Sequence, residues 1–272
     1  MKPQGPVVTR ATRTPRAPRI PTTQPAYVLH HYDWSESSLI LDLFTREQGR
    51  LAVVAKGAKR PYSQLRSVLL PFQRLQVSLS KPARGEEGAP EVQTLRGAEW
   101  AGGHTLPAGA ALFTGYYLNE LLLKLLARQD PHPALFDAYA RTLPLLQAGE
   151  DALAQAALRA FELRLLSETG LLPDLSLATL TQAPLQPGGR YWLSAEAGVE
   201  AVEMAQSQAF AAEQLVQLEA ALLHGSVEAL QQACLGALPA LKASLRGLLH
   251  YHLGHKPLRT RSVMLDVQKL LD

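Results

Sequence analysis

Positively charged side chains are concentrated in one short stretch of this 272-residue chain, from Arg46 to Arg74. Seven lysines and arginines stand there against one acid, Glu47, so the stretch carries a net charge of +6, whereas the whole chain carries +3. Cations gathered on a strand and the loop that follows it are typical of a surface that binds phosphate. They are Arg46, Arg50, Lys56, Lys59, Arg60, Arg66 and Arg74. The stretch therefore predicts an interface with a polyanion.

An aromatic side chain accompanies these cations. Tyr62 lies between Pro61 and Ser63, directly after Lys59 and Arg60, in what the proline marks as an exit loop. An exposed ring beside cations can stack on a nucleic-acid base, at about 1–3 kcal/mol per base. The rings of Phe44 and Phe72 instead continue apolar strand faces and are predicted to be core.

A second basic cluster lies near the C-terminus and consists of Arg246, Lys256, Arg259 and Arg261. No acid occurs between Leu245 and Ser262. This pattern fits a solvated helix end and loop, a second contact with phosphate, or a docking site for an acidic peptide tail. The sequence leaves these alternatives open.

Enzyme signatures are missing from the chain. The glycine-rich, HExxH, GxSxG and CxxC patterns of nucleotide-binding, metal-dependent and hydrolytic enzymes do not occur. The single cysteine, Cys234, lies in an apolar run and is predicted to be a core residue. We therefore predict no catalytic residue, no metal, no cofactor and a reducing, cytoplasmic environment.

The elements that must position the basic stretch read as a small β-domain over residues 26–104. Leu39–Phe44 alternates apolar and polar residues, and Arg50–Lys56 returns after a turn ending at Gly49, as in a hairpin. Five short strands with a long basic loop after the third predict an OB-type barrel. An SH3-like barrel or a simple meander fits the pattern as well.

Helical periodicity follows, over residues 105–272, so the chain is predicted to be α+β: an OB-fold barrel, then a mostly helical domain. Within the helical part, residues 171–204 break the rhythm, and Arg190–Ser194 is predicted to pair with Gly198–Ala201 as a hairpin. The first 25 residues hold five lysines and arginines, six prolines and no acid. They are predicted to be a disordered basic tail.

Two stretches resemble a known family. Tyr27–Phe72 contains the segments LDLFTREQGR and VAKGAKR, in that order, and closes on a leucine–proline–phenylalanine run. Leu253–Ser262 reads LGHKPLRTRS. Both are similar to the bacterial DNA repair protein RecO family, whose C-terminal part has a GxKPLxSR-like run, and the similarity extends over about residues 26–272.

This resemblance implies a non-catalytic accessory role in the RecF pathway of recombinational DNA repair. Members bind single- and double-stranded DNA, anneal complementary strands, contact the acidic C-terminal tail of single-stranded-DNA-binding protein, and work with RecR to load recombinase. It implies the nucleoid as location, the seven cations and Tyr62 as DNA-binding residues, and the second basic cluster as a site for DNA or the acidic tail.

The chain departs from the family pattern at one place. Some members hold zinc through four cysteines in an insert between helices, but the matching stretch, 171–204, has no cysteine. We therefore predict no metal there and expect Tyr191, Trp192 and Leu193 to hold the insert by packing. An RNA-binding OB-fold protein of translation remains the alternative, since phosphate and stacking contacts serve both nucleic acids.

Overall fold

The structure is a computed structural model that describes residues 23–80, 92–102, 105–147, 151–202, 208–254 and 258–271. Its N-terminal part is built from five strands and one short helix. These are β1 Thr23–Asp33, β2 Leu39–Thr45, β3 Gly49–Ala55, α1 Leu65–Val68, β4 Leu75–Leu79 and β5 Val92–Trp100. The five strands close into a barrel in the order β1-β2-β3-β5-β4.

The pairing pattern confirms the OB-type prediction. Strands β1, β2 and β3 form an antiparallel meander, β3 pairs with β5 in parallel, and β4 pairs with both β5 and β1. A helix between the third and fourth strands, which the sequence did not reveal, spans only four residues. Apolar side chains from alternate positions, such as Leu41, Val53 and Val77, fill the interior.

Strand β1 is longer than predicted. It was expected to begin at Ala26, yet Thr23, Gln24 and Pro25 already pair with β4. Proline lacks the N–H that a central strand donates, but the carbonyl of Pro25 still accepts a bond of 3.3 Å from the Arg46 N–H. The predicted disordered tail is thus wrong for residues 23–25, while residues 1–22 lie outside the described part and their tail stays a prediction.

Helices dominate the rest of the chain, as predicted. They are α2 Ala110–Leu125, α3 Pro133–Leu145, α4 Asp151–Glu168, α5 Ala212–Leu223, α6 Val227–Leu235, α7 Leu238–His252 and α8 Arg259–Leu271. Helix α4 is buried along most of its length and contacts α3, α5, α6 and α7. Ser226 begins α6 as its N-cap, where its hydroxyl accepts the Ala229 N–H at 3.2 Å.

The sequence pattern predicts a last helix from Ser262 to Leu271, but helix α8 begins three residues earlier, at Arg259. The Glu120 carboxylate on α2 accepts the backbone N–H groups of Arg259, at 2.8 Å, and of Thr260, at 2.9 Å. Free N–H groups at a helix start need such a partner. A residue 139 positions away supplies it, so the local pattern could not show where this helix starts.

The described residues of the insert between α4 and α5 form five short strands: β6 Leu177–Ala178, β7 Ala183–Pro184, β8 Arg190–Ser194, β9 Gly198–Ala201 and β10 Phe210–Ala211. The predicted hairpin is confirmed, because β8 and β9 pair antiparallel from Tyr191↔Ala201 to Ser194↔Gly198. Tyr191 and Leu193 are buried in the helical core, whereas Trp192 is half-buried. Apolar packing thus holds this hairpin against the helices.

The barrel and the helices share a core. Tyr27 and Phe44, from the outward side of β1 and β2, pack on Phe136 and Tyr139 of α3, with ring centroids 4.9–6.2 Å apart. Asn119 of α2 donates to the Leu29 carbonyl at 3.0 Å and accepts from the Tyr139 hydroxyl at 2.5 Å. The helical domain therefore covers part of the outward face of β1 and β2.

Candidate nucleic-acid interface

The basic stretch runs the length of β3, and its first cations lie where the barrel meets the helices. Arg46, in the turn before β3, forms a two-pronged bond with Asp137 of α3, with Nε–Oδ1 3.0 Å and Nη2–Oδ2 2.9 Å. These bonds raise the pKa of the Arg46 guanidinium. This predicted DNA-binding side chain thus has a partner inside the protein.

Arg50 also binds partners inside the protein. Its Nη1 donates to the carbonyls of Leu123 and Leu126, at the C-terminal end of α2, and its Nε lies 3.6 Å from Asp42. Carbonyls in the last turn of a helix lack partners within the helix, and a cation there is favourable. Because only 14% of its side chain is exposed, Arg50 secures the joint between the domains.

At the other end of β3, the exit loop is tied to the loop between β1 and β2. The Lys59 N–H donates to Ser37 at 3.0 Å, and its ammonium donates to the Ser35 carbonyl at 3.1 Å and lies 3.2 Å from Asp33. The Gly57 N–H reaches the Ser38 hydroxyl at 3.4 Å. Lys59 thus holds two loops together as well as carrying charge.

This pairing joins the β1–β2 loop, which carries one exposed ring, to the exit loop, which carries another exposed ring and two exposed cations. Tyr62 is 99% exposed and Trp34, in the β1–β2 loop, is 64% exposed. Lys56 and Arg60 are exposed too, and neither forms an ion pair with another described residue. We call Trp34, Lys56, Arg60 and Tyr62 the loop platform. Trp34 was not singled out from sequence, because only the hydrogen bonds of Lys59 place it here.

The remaining two cations of the stretch are separate from each other. Arg66 lies exposed on α1, one short turn after the loop platform. Arg74 precedes β4, on the side of Tyr27, where burial raises the pKa of the Tyr27 phenol and the charge of Arg74 opposes that rise. Arg66 therefore extends the loop platform, whereas Arg74 lies toward the helical domain.

The second basic cluster borders a cavity of about 890 Å³ between α2, α4, α7 and α8. Arg246 and Lys242 of α7 and Arg261 of α8 line it, together with apolar residues such as Leu249 and Leu258. Arg259, in the first turn of α8, is exposed. Lys256, the fourth predicted member, lies outside the described residues.

A buried polar group underlies this cavity. Arg159, which lines it, lies 2.6 Å from the Glu162 carboxylate, and the Tyr117 hydroxyl donates to the other oxygen at 2.5 Å. Burial raises the pKa of Glu162, against the opposing effect of Arg159. The charge of Arg159 is therefore largely engaged inside the protein, which leaves Lys242, Arg246 and Arg261 to attract an acidic ligand.

The single cysteine is packed in the helical core. Cys234 is fully buried, as predicted for a core residue, and burial raises the pKa of its thiol to about 12. A protonated, inaccessible thiol is a poor nucleophile. Within the described ranges, no group of three histidines, cysteines or acids is placed to hold a metal ion.

Comparison with known proteins assigns the family. The model described as "Recombination protein O N terminal" matches residues 20–101, and "Recombination protein O C terminal" matches residues 107–262. The chain belongs to the RecO family. The two matches divide the chain where the barrel ends and the helices begin, so the resemblance noted above is confirmed.

Curated relatives agree with this assignment. DNA repair protein RecO of Polaromonas sp. strain JS666 is 51% identical over 248 residues, which cover 91% of this chain and 97% of the relative. DNA repair protein RecO of Verminephrobacter eiseniae is 50% identical over 248 residues, covering 91% and 96%. This chain is therefore a DNA repair protein of the RecO family. Among its described helices, none is both long and apolar enough to cross a bilayer.

Proposed function

We propose that this RecO-family protein binds single- and double-stranded DNA through the loop platform and Arg66, anneals complementary strands and, with RecR, helps to load recombinase at the nucleoid. No catalytic step is proposed. One observation carries this proposal: exposed cations and exposed rings lie on two loops of an OB-type barrel that hydrogen bonds hold together. Arg46 and Arg50 are left out of the interface, because Asp137 and the α2 carbonyls engage them.

Annealing of complementary strands requires both exposed cations and exposed rings. Two complementary strands repel each other through their phosphates, and a protein that neutralises phosphates releases the condensed counterions. Rings stack on any base, so the contact does not depend on sequence. A cationic, aromatic surface can therefore hold an unpaired strand while leaving it free to pair.

Salt dependence of binding tests the DNA contact. Lys56, Arg60 and Arg66, contacting about one phosphate each, give a log–log slope near −2 on single strands, at about 0.7 per phosphate. The measurement is fluorescence anisotropy with labelled oligothymidine across a range of salt concentrations. A slope near zero in the wild type would contradict the proposal.

Strand annealing is tested with the triple variant Lys56→Ala, Arg60→Ala, Arg66→Ala. We expect its annealing rate to fall at least tenfold, with and without single-stranded-DNA-binding protein, while its unfolding midpoint stays unchanged. Arg141→Ala is the matched control, because Arg141 is exposed but paired with Glu228 at 3.1 Å, on the helical domain. Equal annealing rates in the triple variant and the control would refute the proposed surface.

We further propose that the cavity beside the second basic cluster receives the acidic C-terminal tail of single-stranded-DNA-binding protein. The described lining residues include no acid, and they combine Lys242, Arg246 and Arg261 with apolar side chains. This arrangement suits a peptide with carboxylates and an apolar end. The cavity therefore offers apolar side chains for the apolar end of the peptide as well as cations for its carboxylates.

Charge reversal separates the two sites. Arg246→Glu and Arg261→Glu should each weaken binding of a labelled peptide with the tail sequence at least tenfold. Lys56→Glu should weaken DNA binding and leave peptide affinity unchanged. If Lys56→Glu weakens the peptide as much as Arg246→Glu does, the attraction is only a general charge effect.

RNA remains the alternative ligand of the barrel. Phosphate and stacking contacts do not distinguish the sugars, whereas a site that recognises the 2′-hydroxyl does. Competition between DNA and RNA strands of equal sequence measures the preference. Tighter binding of RNA would favour the role in translation over the role in repair.

A further inference from the structure

Strand β1 changes character at Leu29. Ala26, Val28 and Leu29 are buried, whereas the last four residues of the strand, His30–Asp33, are exposed. The register against β2 shifts between Val28 and His30, as at a β-bulge. The end of β1 thus leaves the domain joint and leads to the β1–β2 loop, which carries Trp34.

Alternate residues on this end of β1 are rings. His30 pairs with Asp42 and Tyr32 with Ile40 across the β1–β2 ladder, and the His30 and Tyr32 rings lie edge to face with centroids 4.5 Å apart. Tyr32 is 49% exposed and the next alternate residue is Trp34. Alternate residues of a strand lie about 6.8 Å apart, which is twice the roughly 3.4 Å spacing of stacked bases. Because the His30 and Tyr32 rings touch each other, a base stacks on the exposed part of the Tyr32 ring or on Trp34 and not between His30 and Tyr32.

Helix α2 places a cation of the second basic cluster at the far end of this row. Asn119 holds the Leu29 carbonyl, next to His30, and its neighbour Glu120 holds the backbone N–H of Arg259. Consistent with this proximity, burial, His31 and the charge of Arg259 lower the pKa of His30, against the opposing effect of Asp42. Arg259 therefore lies on the barrel side of α8, while Arg261 lines the cavity.

Three acids near this row have partners within the described residues: Asp33, Asp42 and Glu120. Asp42 is buried and paired with Arg50, and Asp33 is paired with Lys59. Both oxygens of Glu120 accept bonds from the start of α8, which holds the pKa of its carboxyl below the ordinary value although burial raises it. The Arg259 side chain thus places an exposed positive charge at the end of the row.

We propose that the outward side of the end of β1 is a second segment of the nucleic-acid path. A single strand that leaves the loop platform at Trp34 runs along Tyr32 and His30 and places a phosphate on Arg259. This inference rests on the proposed function, and it joins the barrel to one edge of the second basic cluster.

Oligonucleotide length tests this path. The row adds several nucleotides to those held by the loop platform, within the range of about 4–16 per OB fold. A five-nucleotide oligothymidine should therefore bind through the loop platform alone, whereas a fifteen-nucleotide one should reach Arg259. Affinities are measured by fluorescence anisotropy with the full chain at several salt concentrations.

Two variants are expected to weaken binding of the fifteen-nucleotide strand, called the long strand, and not of the five-nucleotide one. Tyr32→Ala should weaken binding of the long strand about fivefold or more, and Arg259→Ala should lower its salt slope by about 0.7. Removing the Arg259 side chain leaves the cap of α8 intact, because Glu120 accepts from the backbone. Tyr32→Phe keeps the ring and should bind like the wild type, which separates stacking from the Tyr32 bond to Asp42.

The outcomes distinguish this inference from the proposed function. If the wild type binds both lengths with a salt slope, but Tyr32→Ala and Arg259→Ala bind the long strand like Arg141→Ala, the path is refuted and the loop platform stands. Equal losses on both lengths also refute the path. A wild type without salt-dependent binding refutes the proposed function itself.

Discussion

The cations at the two ends of β3 are similar in charge but differ in their surroundings. At its start, Arg46 and Arg50 bind Asp137 and the end of α2, and Gly49 lies against the backbone of Asp130. After its end, Lys56 and Arg60 lie exposed beside Tyr62. The seven-residue strand thus has a domain joint at its start and a candidate DNA surface beyond its end.

This difference shows that charge density alone does not locate an interface. The helical domain covers the barrel where Tyr27 and Phe44 present apolar rings, and the cations beside those rings become partners of helix carbonyls and Asp137. Where the barrel presents loops instead, the cations remain exposed. The same +6 stretch therefore contributes to the domain joint at one end and leaves exposed cations at the other.

The largest expected effect comes from the glycines at the two ends. Gly49 has a φ of +67°, and a Cβ there would overlap the carbonyl group of Asp130, so Gly49→Ala should lower the free energy of unfolding by about 4 kcal/mol. Gly57, with a φ of +72°, has only the Arg60 side chain nearby, at 3.6 Å. Gly57→Ala should cost about 1 kcal/mol. Urea titrations of both variants measure the contrast, which disappears if their midpoints agree.

The next effect comes from Arg50 and Lys56. Arg50→Ala leaves the α2 carbonyls and the buried Asp42 without their partner and should lower the free energy of unfolding by about 3 kcal/mol. Lys56→Ala should leave stability unchanged and reduce the salt slope of DNA binding by about 0.7. Chemical denaturation and anisotropy are both needed. An Arg50→Ala protein of wild-type stability would show that the joint does not depend on this residue.

The smallest expected effect is the difference in the salt slope of DNA binding between the Arg46→Ala and Arg60→Ala variants. Both side chains are on the surface, and a partly exposed ion pair contributes little, so Arg46→Ala should change the unfolding midpoint only slightly. Its salt slope should equal that of the wild type, because Asp137 already neutralises the charge. Arg60→Ala should reduce the slope by about 0.7. Equal slopes in the two variants would mean that Arg46 leaves Asp137 to bind DNA.

Local patterns predicted the elements well where burial follows periodicity. The alternation in β2, the hairpin of β8 and β9 and the leucine-rich helices were all readable, because each buries one face or stripe. The starts of β1 and α8 were not, because β4 and Glu120 determine them from far along the chain. Lys59 likewise brings Trp34 to the exit loop through bonds that no sequence spacing reveals.

The sequence by itself determined the fold class, the family and the location of the cations, since apolar periodicity and charge are properties of the chain. Tertiary structure alone decided which cations are exposed, because that depends on where the helices pack against the barrel. Arg50 lies at the start of β3, Lys56 lies directly after its end, and both carry the same charge. Only the end of α2 makes one a structural residue and leaves the other exposed.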